Sequence, residues 1–290
     1  MEPMLSSIPA RARRQAMEWG LVLASQGVEA IVDKSDQGWA VLVEPRDYDR
    51  ALAHLRQYQL ENRGWQWRQP LAEAGALFHW GGLAWAAAIA AFYYWSAVRY
   101  PAISGAGILD SEKVRQGQWW RLWTAITLHQ NVPHLMANAT TGCILMGLAM
   151  ARYGAGVALL AAFVAGAAGN VASLLAYSQP HQSLGASGMV MGALGLVTVQ
   201  SFSFWRHYPF GRRLIFRALA AGVLLLALIG FSPEADIVAH VGGFVAGAAL
   251  GCALGLAPPA RWQGGPANGI TLLTLAILVL ATWRLALHPP

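Results

Sequence analysis

Hydrophobic and polar positions divide the chain into two unlike parts. In residues 9–64, Arg11 to Ser25 has apolar positions at helical spacing, and Val28–Val32 and Trp39–Val43 are short β-rich runs. Ser35-Asp36-Gln37-Gly38, between those runs, carries hairpin turn chemistry. Asp47 stands where it can cap a following helix in which Ala51, Leu55 and Tyr58 share a face. This part predicts a compact α+β unit with no catalytic or cofactor motif. Beyond it come seven apolar runs, at roughly 76–98, 133–151, 155–177, 186–205, 214–231, 237–257 and 269–283. A helix of about 20 apolar residues spans a bilayer, so each run is close to sufficient, the last two or three with help from packing. The expected fold is therefore a polytopic α-helical membrane protein. Its parts are a small α+β domain over 1–70, a six-span core over 75–257, and a connection with a seventh helix over 258–290.

Charge agrees with that division. Only 12% of the 290 residues are charged, about half the fraction of a soluble domain. Residues 1–74 hold 9 Lys/Arg and 10 Asp/Glu, whereas Tyr153 to Trp205 is a stretch of 53 residues with no Lys, Arg, Asp or Glu. The net charge of +6 does not mark a nucleic-acid binder, because beyond residue 75 the arginines sit at the ends of apolar runs. Arg152, the group Arg206, Arg212 and Arg213, and Arg261 fall in alternate connections, while 178–185 and 232–236 contain no Lys or Arg. Positive-inside bias then expects the N-terminal domain in the cytoplasm and the connections at 178–185 and 232–236 outside. The segment 100–132 carries Lys113, Arg115 and Arg121 yet belongs to the outer side by this count. Its tryptophans, Trp119, Trp120 and Trp123, suggest a structure lying in the outer interface. Cys143 and Cys252 lie in apolar runs, so no disulfide framework is indicated, and no cleavable signal peptide is expected ahead of the first span.

Polar groups inside spans are costly and often functional. On the outer side they are His134 and Asn138 in run two, Ser187 in run four and His240 in run six. Ser187 lies about 6 Å inside its connection by helical rise, His240 about 10 Å beyond Pro233, and His134 and Asn138 within two turns of Pro133. Three runs entering from one side thus bring polar residues to similar depth. A serine hydroxyl needs a base, and neutral histidine is the usual one. Gly185, Ala186 and Gly188 leave room for a substrate beside Ser187, whose amide N–H at a helix start is free to donate. His134 and Asn138, four apart, share one helix face and can both donate to an oxyanion.

Each element has a plainer reading. Gly-Ala-Ser-Gly is by itself more often a packing motif, and an intramembrane histidine can simply bond a carbonyl. Two histidines and an asparagine could hold a metal, but there is no His-Glu-x-x-His pair and no carboxylate in runs two to four. Asp236 could orient His240, though capping of the sixth helix is the preferred role. Gly243, Gly247 and Gly251, at spacing four, form a stripe that lets two helices approach closely.

Taken together, Trp120-Arg121, His129, His134-x-x-x-Asn138, Gly185-Ala-Ser187-Gly188 and Ala239-His240-x-Gly-Gly243 resemble the rhomboid family of intramembrane serine proteases, over about residues 75–257. The resemblance implies a rhomboid-like six-helix core of bacterial type, in an inner membrane, with the site opening to the periplasmic side. It implies a Ser187–His240 dyad and an oxyanion hole of His134, Asn138 and the Ser187 amide. Trp120-Arg121 would belong to a structural loop whose fold His129 supports. It implies no metal and no cofactor, and as partners the lipid bilayer and single-pass membrane substrates, with no particular oligomeric state. Met191 stands where many bacterial members carry an aromatic residue against the histidine. The competing readings are an inactive rhomboid-like protein that binds membrane partners, and a transporter. The chain retains both dyad residues, against the first, and lacks inverted repeats and midplane charges, against the second.

Overall fold

The computed structural model describes residues 5–35, 38–62, 78–200, 202, 211–231, 235–258 and 260–289. They belong to two units, Met1–Pro70 and Leu71–Pro290. The first comprises β1 (Ser6–Ala10), α1 (Arg13–Ser25), β2 (Ala30–Ser35), β3 (Gly38–Val43) and α2 (Tyr48–Glu61). β2 and β3 are the expected hairpin, Ser35 opposite Gly38 in antiparallel register, and the turn residues Asp36 and Gln37 lie outside the described residues. β1 is an addition to the expected pattern. It pairs with β3 on the other side, giving the order β1-β3-β2, and as an edge strand it tolerates Pro9. Ile8, Val41, Val43, Ala16, Leu23, Ala51 and Leu55 form its core. Asp47 occupies the N-cap position of α2 but makes no capping bond. A 3₁₀ turn precedes it, and its carboxylate pairs with Arg50 at 3.3 Å instead.

The second unit is helical: α3 (Gly81–Tyr93, extended by a π-helical turn to Arg99), α4 (Ala102–Gly107), β4 (Leu109–Asp110), α5 (Ser111–Arg115), α6 (Arg121–Thr124), α7 (Val132–Tyr153), α8 (Ala155–Ala176), β5 (Gln182–Ser183), α9 (Ser187–Val199), α10 (Gly211–Gly230), α11 (Ile237–Leu254), α12 (Ala260–Gln263) and α13 (Gly265–Leu287). Among the described residues five helices, 81–99, α7, α8, α11 and α13, are long and apolar enough to cross a membrane, and α9 and 215–230 are shorter apolar helices. The chain is a multi-pass membrane protein.

Two devices position the site. The first is glycine contact between helices. A Cβ on Gly243 would collide with the carbonyl oxygen of Gly188, one on Gly247 with that of Gly192, and one on Gly169 of α8 with that of Ala239. α11 is therefore locked into α8 and α9 at backbone contact distance, where small residues gain close packing. The second is the ordered excursion between α3 and α7. Asp110 caps α5 by accepting from the Glu112 and Lys113 amides, both at 3.1 Å, and β4 pairs with β5. Arg115 donates to the Leu174 and Tyr177 carbonyls, both at 3.3 Å, closing the C-terminal end of α8. α13 covers the excursion. Trp283 packs with Trp120, Leu128 and Ala286, and its indole N–H donates to Thr127 Oγ1 at 3.2 Å.

Candidate active site

Ser187 is the first residue of α9, not a residue one turn inside it. Gly185, at φ +135°, breaks the chain just before, so the serine reaches its depth through the non-helical segment 184–186. The Gly185 amide donates to the Ala125 carbonyl at 3.0 Å, tying that segment to the end of the excursion. The first i→i−4 bond of α9 runs from Val190 to Ala186 at 2.9 Å, so the Ser187 amide precedes the helical ladder.

His134 stands in the first turn of α7, where Asn131 caps by accepting the His134 amide at 2.8 Å. Asn138, one turn later and buried, donates one amide proton to the His134 carbonyl at 3.0 Å and retains a second. The Cβ that Gly185 lacks would lie 2.7 Å from His134 Nε2 and 3.8 Å from Ser187 Oγ. The imidazole edge and the hydroxyl border one small space, and the glycine keeps it open.

His240 is buried in the first turn of α11, and its Nδ1 lies 2.6 Å from the carbonyl oxygen of Gly230, the last residue of α10. A carbonyl cannot donate, so Nδ1 carries a proton, and in the neutral ring the lone pair is on Nε2. A main-chain group thus fixes the tautomer and orientation of the ring. Asp236 makes no hydrogen bond to the ring. Its Oδ1 accepts the Ala239 amide at 3.0 Å, the capping role. A Cβ on Gly230 would lie 3.7 Å from Met191 Sδ and 3.8 Å from His240 Nδ1, so the thioether sits beside this hydrogen bond.

His134, Asn138, Ser187, Met191 and His240 all line a single cavity of about 900 Å³. Trp120, Arg121 and His129 are not in its lining. Arg121 is buried and donates from Nη1 to the Ile108 carbonyl at 2.7 Å and from Nε to Gln118 at 2.7 Å, stitching the excursion together. Burial lowers its pKa, and Asp110 opposes that. His129 is buried with its ring edge-on to His134, centroids 5.4 Å apart. Burial first, and then repulsion from His134, pushes its pKa down to about 4, so it is neutral at pH 7. Asn170, absent from the sequence expectations, lines the cavity and donates to the Leu122 carbonyl at 2.7 Å. An amide inside a glycine- and alanine-rich run is the signal that marks it.

Comparison with known proteins agrees with this architecture. The model of the Rhomboid domain matches residues 116–257. The chain is 31% identical over 59% of its length to the Bacillus subtilis Rhomboid protease GluP, covering 33% of that protein. It is 34% identical over 54% of its length to the Arabidopsis thaliana RHOMBOID-like protein 5, covering 51%. To the Toxoplasma gondii Rhomboid-like protease 3 it is 28% identical over 60%, covering 66%. The matched region thus spans a third to a half of the first two relatives. The chain belongs to the rhomboid family.

Proposed function

We propose that the protein is an intramembrane serine endopeptidase that cleaves the membrane-spanning segments of other proteins with a Ser187–His240 dyad. The observation that carries this reading is the Nδ1–Gly230 hydrogen bond, which leaves His240 Nε2 as an acceptor on a cavity shared with Ser187, His134 and Asn138. Ser187 Oγ attacks the scissile carbonyl carbon as its proton passes to His240 Nε2. Negative charge collects on the carbonyl oxygen, where His134, the second Asn138 amide proton and the Ser187 amide donate. Collapse breaks the C–N bond, and His240 returns the proton to the leaving nitrogen. Water, deprotonated by His240 Nε2, then adds to the acyl carbon, and the proton returns to Ser187 Oγ as the ester C–O bond breaks and the acid leaves. Substrate must unwind locally, because an intact helix holds its carbonyls in its own hydrogen bonds. The arginine distribution supports a cytoplasmic N-terminal domain with the cavity opening on the opposite side, and the resemblance to bacterial rhomboids supports an inner membrane, which makes that side the periplasm. Single-pass membrane proteins are the proposed substrates. Labelling of detergent-solubilised protein with a fluorophosphonate probe tests the assignment. Labelling is expected for the wild type and absent in Ser187→Ala and His240→Ala. A folded wild type that no serine-reactive inhibitor modifies would refute it and favour a non-proteolytic partner-binding role.

A further inference from the structure

The first turn of α11 is held by more than its cap. Asp236 uses Oδ1 on the Ala239 amide, and its Oδ2 accepts a short hydrogen bond from Ser173 Oγ of α8. Ser173 is fully buried, and its oxygen lies 3.2 Å from His181 Nε2. A serine has one hydroxyl proton, and the carboxylate oxygen takes it, so His181 must donate at Nε2. His181 is itself fixed at both main-chain groups. Its amide donates to Ser111 Oγ and its carbonyl accepts from the Ser111 amide, each at 3.1 Å. The edge of its ring meets Tyr177, centroids 5.0 Å apart. A continuous polar chain therefore runs from α5 through His181 and Ser173 to Asp236. The His240 amide bonds back to the Asp236 carbonyl at 3.0 Å, so the chain ends one helical turn from the imidazole.

We propose that Ser173, Asp236 and His181 are positioning residues for the reaction: they fix the start of α11 against α8 and α5 and so set the His240 ring between the Gly230 carbonyl and the cavity. The inference rests on His240 being the general base. Helix capping alone does not require it, because a cap needs one carboxylate oxygen and any short polar side chain serves. The second oxygen, the buried serine and the histidine form a chain across three elements that a cap does not use. A shift of the first turn moves the imidazole directly, and misplacement of a reacting group by about 1 Å costs about 10²-fold in rate.

Two variants separate the bridge from the cap. Ser173→Ala removes the bridging hydroxyl at almost constant volume. Asp236→Ser keeps an N-cap oxygen but is too short to reach Ser173. The second-order rate of fluorophosphonate labelling, and kcat and KM on a membrane-spanning substrate, are measured for both and for the double variant. Hydrogen exchange of the peptide covering 236–240 is followed in parallel. Each variant is expected to label at least about tenfold more slowly, with the loss in kcat and KM unchanged. The double variant should be no worse than the poorer single one, and exchange at 236–240 should quicken. Labelling of either variant within twofold of wild type, multiplying losses, or unchanged exchange would overturn the bridge. If the wild type itself does not label, the protease reading falls, and exchange at 236–240 in Ser173→Ala still decides whether the bridge holds α11.

Discussion

Gly185→Ala is the most informative single change in the site. At φ +135° a side chain is strained by about 1–3 kcal/mol. The new methyl would also sit 2.7 Å from His134 Nε2 and Cε1. Ordinary contact lies near 3.5 Å, so the ring has to retreat by roughly 0.8 Å. A displacement of that size in the proposed oxyanion donor corresponds to about 10²-fold in rate, or about 2.7 kcal/mol of transition-state stabilisation. The measurement is a double-mutant cycle. Labelling rates are compared for wild type, Gly185→Ala, His134→Ala and the pair, with thermal unfolding in detergent recorded for each. Loss of the ring alone should cost about 10²–10³-fold. Where the ring is already absent, the added methyl has no imidazole to displace and its backbone strain is read in the unfolding temperature, so the labelling rate of the pair should lie within about threefold of His134→Ala. If the two losses multiply, or if Gly185→Ala labels like wild type, the shared space between His134 and Ser187 is not where the oxyanion forms.

Further outcomes follow from the same geometry. Gly243→Ala drives a Cβ into the Gly188 carbonyl beside the site, whereas on Gly251 it meets Val199 Cγ2 at 2.5 Å, about two turns further along the stripe. The first should abolish labelling, and the second should lower the unfolding temperature while retaining most activity. Folding lowers the pKa of His129 from 6.5 to about 4. Its contribution is therefore complete above pH 6.5 and is lost as pH falls from 6.5 toward 4, by up to about 3 kcal/mol. Unfolding scans at pH 7.5 and 4.5 should show that loss, and His129→Gln should reduce the dependence. Trp283→Ala removes a buried ring and its bond to Thr127. It should destabilise by about 1–3 kcal/mol, less than in a water-surrounded core, because lipid is as apolar as the residues it covers. An unchanged unfolding temperature would mean that α13 does not brace the excursion.

The candidate site is legible wherever a polar side chain interrupts an apolar run. His134, Asn138, Ser187 and His240 stand out because each is expensive in a membrane unless it has work or a partner. The stripe at Gly243, Gly247 and Gly251 was legible too, as packing. Its further consequence, bringing the helix of Ser187 against the helix of His240, emerges only when Gly188 and Gly192 face it. What the sequence does not signal is main-chain chemistry. Any residue at position 230 offers a carbonyl, so the group that orients His240 leaves no mark. The start of α9 at Ser187 depends on a tertiary bond from Gly185 to Ala125. β1 was missed because Ser6–Ala10 is short and carries Pro9, and only its edge position makes it a strand. Asp47 shows the converse: cap chemistry was present, but a preceding 3₁₀ turn sets its backbone and directs it to Arg50.

The bond between Trp283 and Thr127 spans 156 residues of chain. At about 5–20 residues per second, a ribosome needs roughly 8–30 s to make that interval. For that time Trp120 and Leu128 have been synthesised but the helix that covers them has not. The nascent protein therefore passes through a stage in which its earlier spans can insert while the excursion beside the cavity lacks its cover. Cover of the excursion waits for α13, and the packing of Trp120 and Leu128 is completed only after the segment that carries Ser187 and His240 has been made.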